Sequence, residues 1–234
     1  MFPVRLLEHV WLVGGDGPDC HCYLIWDGTG GLLIDAGTGL HASSWLAAVA
    51  SVCDPAALTG VFVTHYHADH AGGAAFAGLP IIASPQTASA LAVADEDRTS
   101  LAVARAAGVY PADYRLRPAV VDRVVTGGSR VPAGGFQVEV IDAPGHCDGH
   151  LVALFGNVLF SGDCLFAGGR VSIQALHDCR LDRYAETVIA LASRDVDVLL
   201  PGHGEPVLAD ARADIARAAA SFRRLVPPPN VLSE

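Results

Sequence analysis

Hydrophobic positions alternate or run together in short bursts through the first part of the chain, at Val4 to Val13, Cys20 to Trp26 and Gly31 to Ile34, with Gly- and Asp-rich breaks at 14–19 and 27–30. Bursts of this length bounded by turn formers predict successive strands of an antiparallel meander. From Ser43 to Val52 the apolar spacing becomes helical, and Gly60 to Val63 reads as a buried strand ending near Thr64. Strand, helix, strand predicts a crossover unit, and whatever follows Thr64 sits at the carboxyl end of its second strand, where open α/β sheets place ligands.

Leu79 to Ala83 predicts another strand, and Pro85 opens an alanine-rich helix to about Ala94. The stretch 95–117 breaks the rhythm: a short helix, Ser100 to Ala107, then Gly108, Tyr110, Pro111 and Tyr114, which reads as a surface excursion or as a lid over a pocket. Short strands return at Val120 to Val125, Phe136 to Ile141, Leu151 to Phe155 and Val158 to Phe160. A helix over Leu181 to Ala192, a strand over Val196 to Leu200 and a helix over Ala209 to Leu225 close the pattern before Pro227-Pro228-Pro229. Helices flanking two mixed sheets predict an α/β layered sandwich. At 234 residues one domain over 1–226 is the expectation, with 227–234 as a C-terminal tail.

Composition narrows the class. Half the residues are hydrophobic, enough for a sizeable core, and the net charge is −10. All fifteen basic residues are Arg, so Schiff-base chemistry through a lysine is excluded, and nucleic acid would have to be held against the overall field. Arg5, Glu8 and His9 interrupt the first ten residues, and no apolar run reaches the roughly 18 to 20 residues that span a bilayer. These features point to a cytoplasmic protein that takes a small-molecule substrate, with no membrane partner and with a homo-oligomer left open. The six cysteines include no C-x-x-C pair and are expected as free thiols, Cys20-His21-Cys22 being core packing within a strand.

The candidate chemistry lies in Thr64-His65-Tyr66-His67-Ala68-Asp69-His70. Residues two apart on an extended backbone share a face, so His65 and His67 can reach one metal ion, while Asp69 and His70, in the turn beyond, diverge toward a second. Three later segments repeat one design, a strand end followed by a turn rich in Gly, Pro, His or Asp: Ala143-Pro144-Gly145-His146, Ser161-Gly162-Asp163 and Pro201-Gly202-His203-Gly204.

With these blocks in this order, the chain resembles the metallo-β-lactamase fold superfamily from about Val4 to Val207. The resemblance implies a four-layer αββα sandwich of two mixed sheets flanked by helices. It implies that His65, His67 and His146 bind one metal, that Asp69, His70 and His203 bind a second, and that Asp163 bridges both. Two divalent ions on nitrogen and carboxylate oxygen suit Zn²⁺, with Fe or Mn also accommodated. A bridging hydroxide would be the nucleophile, and Asp69 is the catalytic candidate that orients it and takes its proton.

Ser161-Gly162-Asp163-Cys164-Leu165-Phe166 with Gly168-Gly169-Arg170 is similar to the corresponding block of hydroxyacylglutathione hydrolases (glyoxalase II) and of persulfide dioxygenases, without the cysteine those families carry before the Gly-Arg pair. Only 28 residues follow Pro206, and no lysine is present to copy a glutathione site. The expectation is a dinuclear hydrolase of a small ester, thioester or lactone. The alternative is a mononuclear Fe(II) persulfide dioxygenase-like enzyme. Tyr66, Phe166 and Arg170 are candidate substrate contacts, and His150 and His177 are read as supporting rather than ligating.

Overall fold

The computed structural model describes residues 2–15 and 17–232. Met1, Asp16, Ser233 and Glu234 lie outside the described residues, and with them the end of the expected 227–234 tail. The chain gathers into two compact units, Met1–Val125 with Arg130–Gln137, and Thr126–Ser129 with Val138–Glu234.

A seven-stranded sheet runs in the order β1 (Val4–Leu7), β2 (Val10–Leu12), β3 (Tyr23–Trp26), β4 (Gly31–Ile34), β5 (Leu58–Phe62), β6 (Ile81–Ala83) and β7 (Arg123–Val124). The first four strands are antiparallel neighbours and the last four parallel ones, as a meander followed by crossovers requires. Helix α1 (Ala42–Val52) is the crossover between β4 and β5, and it buries Trp45, Ala48 and Val49. β4 is buried at every position, the pattern of a strand covered on both faces. The one-turn helix α2 (Ala68–Ala71) and α3 (Pro85–Ala92) follow β5 and β6 in turn. Ser84 caps α3 by accepting Thr87 N–H, with Pro85 at its first position.

The expected strand from Val4 to Val13 is two strands. Glu8 and His9 turn the chain, so that Val4 faces Leu12 and Arg5 faces Trp11. The excursion at 95–117 carries the short helix α4 (Leu101–Ala106), and its Leu101, Tyr110, Tyr114 and Leu116 are buried in the core of the first unit. Tyr114 Oη donates to Thr38 O at 2.6 Å. β7 is shorter than the valine-rich run suggests, because Val120 is 77% exposed and only two residues meet β6.

The second sheet runs β12 (Val198–Pro201), β11 (Val158–Gly162), β10 (Leu151–Phe155), β9 (Phe136–Asp142), β8 (Arg130–Ala133). β11 and β12 are parallel, joined through helix α5 (Leu181–Leu191). β8 is not among the strands expected from the sequence; it is the edge strand, a position at which Pro132, which has no ladder N–H to give, is tolerated. Tyr184, Thr187, Val188 and Leu191 form the buried face of α5, and Ala211, Ile215, Ala218, Ala219 and Phe222 that of α6 (Ala211–Arg223). The two faces meet with the Tyr184 and Phe222 rings stacked at 6.0 Å. Near the C-terminus, Val171 N–H donates to Pro229 O and Val231 N–H to Val171 O. All six cysteines are free thiols, and among the described residues no helix is long and apolar enough to cross a membrane.

In the first unit, Asp27 ties one turn to another. Its carboxylate accepts Thr29 N–H, Thr29 Oγ1–H and Gly30 N–H on Oδ1, and Gly135 N–H at 2.6 Å on Oδ2. The Gly135 bond first, then those from Thr29 and Gly30, hold this carboxyl well below the usual carboxylate range. A depressed folded-state value means the stabilisation is complete above the unfolded value of about 3.9 and is lost as pH falls through the folded one. Asp27→Asn is therefore expected to be less stable than the parent at pH 6 and to converge on it in strong acid. Denaturation midpoints from pH 6 to pH 2 check this; a constant gap between the two curves would contradict it.

Candidate metal centre

In the first unit the loop 64–70 leaves β5 and folds back on the end of β4. Ala36 N–H donates to His70 O, Gly73 N–H to Gly37 O and Cys20 N–H to Asp69 O, so backbone bonds hold the loop along its length. Gly73 is required there, because a Cβ would meet Ala36 O at 1.9 Å. His65, His67 and His70 are buried, and Asp69 is partly open. His65 Nε2 lies 3.1 Å from His67 Nδ1, two ring nitrogens edge to edge, where one proton or one cation satisfies both. Asp69 Oδ2 lies 3.9 Å from His70 Nε2.

The tautomers follow from the partners. Asp35 accepts Thr64 N–H on Oδ1 at 2.7 Å, and Thr64 Oγ1–H and His70 Nδ1–H on Oδ2 at 2.9 and 2.8 Å. Having donated its only hydroxyl proton to Asp35, Thr64 Oγ1 accepts from His65 Nδ1, 3.0 Å away. Both His65 and His70 thus carry their proton on Nδ1 and leave Nε2 as the nitrogen with a lone pair, the form that binds metals. Asp35 itself is 2% exposed with φ of 59°, a left-handed conformation that Asp tolerates better than most residues.

In the second unit three turns converge. β11 and β12 are parallel, so Asp163 and His203 both follow carboxyl ends, and Gly202 N–H donating to Gly162 O at 2.8 Å locks their turns together. His146 follows β9 through Pro144-Gly145, and Gly145 is needed because a Cβ would meet Tyr184 Cα at 2.4 Å. The Asp163 carboxylate has a histidine on each oxygen: His146 Nε2 is 3.6 Å from Oδ2 and His203 Nε2 is 3.7 Å from Oδ1. His146 Nδ1–H donates to Ser172 O at 2.9 Å, which again leaves Nε2 with the lone pair. The Asp163 peptide is held from both sides, its N–H by His150 Nε2 and its carbonyl by Tyr184 Oη.

A family model described as the metallo-beta-lactamase superfamily matches residues 15–203. The chain belongs to that superfamily. A hydroxyacylglutathione hydrolase of Halorhodospira halophila is 32% identical over 143 residues, 61% of this chain and 44% of that protein. The lactamase-like protein aptB of Emericella nidulans is 25% identical over 203 residues, 82% of this chain and 55% of that protein. The chain thus spans about half the length of the curated relatives it matches. Further hydroxyacylglutathione hydrolases are similar at 28% to 32% identity, over 48% to 58% of this chain. A metallo-β-lactamase of Cronobacter sakazakii has a similar fold, with a TM-score of 0.73 at 21% identity, over 96% of this chain and 92% of that one. The subclass B3 metallo-β-lactamase BJP-1 of Bradyrhizobium japonicum gives 0.70 at 21% identity, over 96% and 93%. At such identities the likeness carries the fold, two mixed sheets flanked by helices.

The donors present in this metallo-β-lactamase superfamily chain fit divalent metal. A tetrahedral ion with bonds of about 2.0–2.1 Å sets neighbouring donor atoms roughly 3.3 Å apart. The separations of 3.1 and 3.9 Å in the first unit and of 3.6 and 3.7 Å in the second bracket that edge, and the three longer ones exceed hydrogen-bond reach.

Of the candidate substrate contacts, Tyr66 and Phe166 are buried and Arg170 is partly exposed. Tyr66 is 1% exposed, its ring edge-on to His67 and under the Arg98 guanidinium at 5.1 Å. Phe166 is 4% exposed, and Arg170 follows the Gly168-Gly169 turn, where Asp214 accepts Gly168 N–H. His177 is exposed, and His150 supports Asp163 as read. The supporting roles of Asp35 and Tyr184, and of the Thr64 hydroxyl, are not part of the sequence reading. Only Asp35 had a usable signal, an acid closing the apolar run Leu32-Leu33-Ile34.

Proposed function

We propose that His65, His67 and His146 hold one divalent ion and Asp69, His70 and His203 a second, with Asp163 shared, and that the protein is a metal-dependent hydrolase of a small ester, thioester or lactone. The observation that carries this reading is the Asp163 carboxylate, whose two oxygens each face a different histidine at 3.6 and 3.7 Å. A carboxylate serving one ion, or a plain ion pair, has no need of two separate imidazoles on opposite oxygens. Zn²⁺ is the metal that the nitrogen and oxygen donors suit best. When bound, such a pair of ions supplies a water acidified toward neutral pH and positive charge for the acyl oxygen.

The protein's own part is to hold the donors in their deprotonated form and to manage a proton. Asp35 and the Ser172 carbonyl set the tautomers of His65, His70 and His146. Asp69, the partly open carboxylate of the group, orients the attacking water and receives its proton.

Protein of measured metal content, assayed on esters, thioesters, lactones and phosphodiesters, tests the reading. Acyl turnover that chelation removes and Zn²⁺ restores is expected, with Asp69→Asn binding Zn²⁺ more weakly and, even when loaded with excess Zn²⁺, losing about 10²-fold in kcat. One iron per chain with thiol-dependent O₂ uptake would make it a dioxygenase instead. Full turnover by Asp69→Asn would remove that residue from the chemistry.

A further inference from the structure

Behind His146 the second unit carries a device whose terminal strap, Pro229 to Val231, lies beyond the residues that the family model matches. Val171, Ser172 and Ile173 turn their backbone groups to alternate sides, as in a strand. On one side the terminal strap takes Val171 and Ile173. Val171 N–H donates to Pro229 O at 3.0 Å, and Val171 O accepts from Val231 N–H at 2.9 Å. Ile173 N–H donates to Asn230 Oδ1 at 3.1 Å, and Asn230 Nδ2 donates back to Ile173 O at 2.7 Å. On the other side Ser172 N–H meets Tyr184 Oη at 3.1 Å, and Ser172 O accepts His146 Nδ1–H at 2.9 Å.

Ser172 and His146 are 2% and 0% exposed, so no solvent substitutes for that carbonyl. Its direction is set by the peptides on either side of it, and two of their four strap bonds come from one side chain. Only a primary amide offers a donor and an acceptor together in the pattern of a backbone peptide. Asn230 therefore completes a strand pairing that the strap's own backbone leaves short by one residue.

We propose that Asn230 is a positioning residue for the metal centre: by clasping Ile173 it holds the Ser172 carbonyl where it fixes the ring and tautomer of His146. This rests on the reading of His146 as a metal ligand. Direct hydrogen-bond partners of ligating histidines are worth about 10- to 100-fold in metal affinity; Asn230, one step further out, is worth roughly 3- to 10-fold.

The test uses the full chain with Asn230→Ala and Asn230→Asp, the second keeping the Oδ1 acceptor while removing the donor. Zn²⁺ affinity is measured by competition with a chromophoric chelator. The His146 tautomer is read in metal-free protein by ¹⁵N-histidine NMR, assigned through His146→Asn. The expected result is weaker Zn²⁺ binding by both variants and a His146 signal shifted from pure Nδ1–H toward a tautomer mixture, with Asn230→Asp between Asn230→Ala and the parent. Val152→Ala, in the core of the same unit, is the control for stability loss and should leave the tautomer unchanged. If Asn230→Ala keeps both the parent affinity and the parent tautomer, the strap is only structural and the proposal is wrong. If His146→Asn itself binds Zn²⁺ normally, the ligand assignment fails, and the tautomer signal alone still decides whether the strap positions this ring.

Discussion

Asp163→Asn is expected to lower acyl turnover by at least about 10³-fold and to leave the protein with less than its full complement of metal. The size follows from the loss of several kcal/mol of charge stabilisation, each ~1.4 kcal/mol being tenfold in rate. An amide keeps one acceptor and presents N–H on the other side, so one of the two histidines at 3.6 and 3.7 Å would face a donor rather than a ligand. The fold should survive, because the bonds that seat residue 163 come from its backbone, N–H to His150 and carbonyl to Tyr184. Metal content by elemental analysis, turnover and melting temperature separate the outcomes. Near-normal metal content with near-normal rate would show that this carboxylate is not shared between ions.

The second large effect is expected at Asp35, and it divides between stability and metal affinity. Its carboxylate is buried and accepts three hydrogen bonds, two of them on Oδ2. Asp35→Asn retains a residue type that adopts the left-handed conformation, which isolates the hydrogen bonding from backbone strain. Whichever way the amide turns, at least one donor meets N–H instead of oxygen, at about 1.5–3 kcal/mol for each lost bond to a charged group. His70 loses its anchor, and Thr64, now able to turn its proton elsewhere, no longer forces the His65 tautomer. Denaturant unfolding should show a loss of roughly 2–5 kcal/mol, and Zn²⁺ competition a 10- to 100-fold weaker affinity. An unchanged affinity beside a clear stability loss would make Asp35 part of the core alone.

The elements that positioned the candidate ligands were legible for a local reason. Short apolar runs at Tyr23–Trp26 and Gly31–Ile34, helical spacing in α1, α5 and α6, and Gly or Pro at the strand exits are short-range patterns that survive folding unchanged. The errors fell where pairing overrides pattern. Val4 to Val13 alternates well enough for one strand, yet its two halves pair with each other. Arg130–Ala133 carries Pro132 and is a strand nonetheless, because it lies at the sheet edge. Val120 belongs to a β-branched run but has no neighbour to bury it.

For the candidate centre, donor type and order are legible in the sequence: a His-x-His-x-Asp-His cluster after a strand, then His146, Asp163 and His203 at later strand ends. Which nitrogen of each ring carries the proton could not, because the groups that decide it lie far along the chain. Asp35 is 35 positions from His70, and Ser172 is 26 from His146 and acts through its carbonyl, which every residue possesses. The sequence by itself determined the elements, the family and the candidate donors, since those depend on side-chain identity and near-neighbour spacing. Only the tertiary structure decided how the donors are oriented and what supports them, since a hydrogen bond depends on where two distant backbones come to rest.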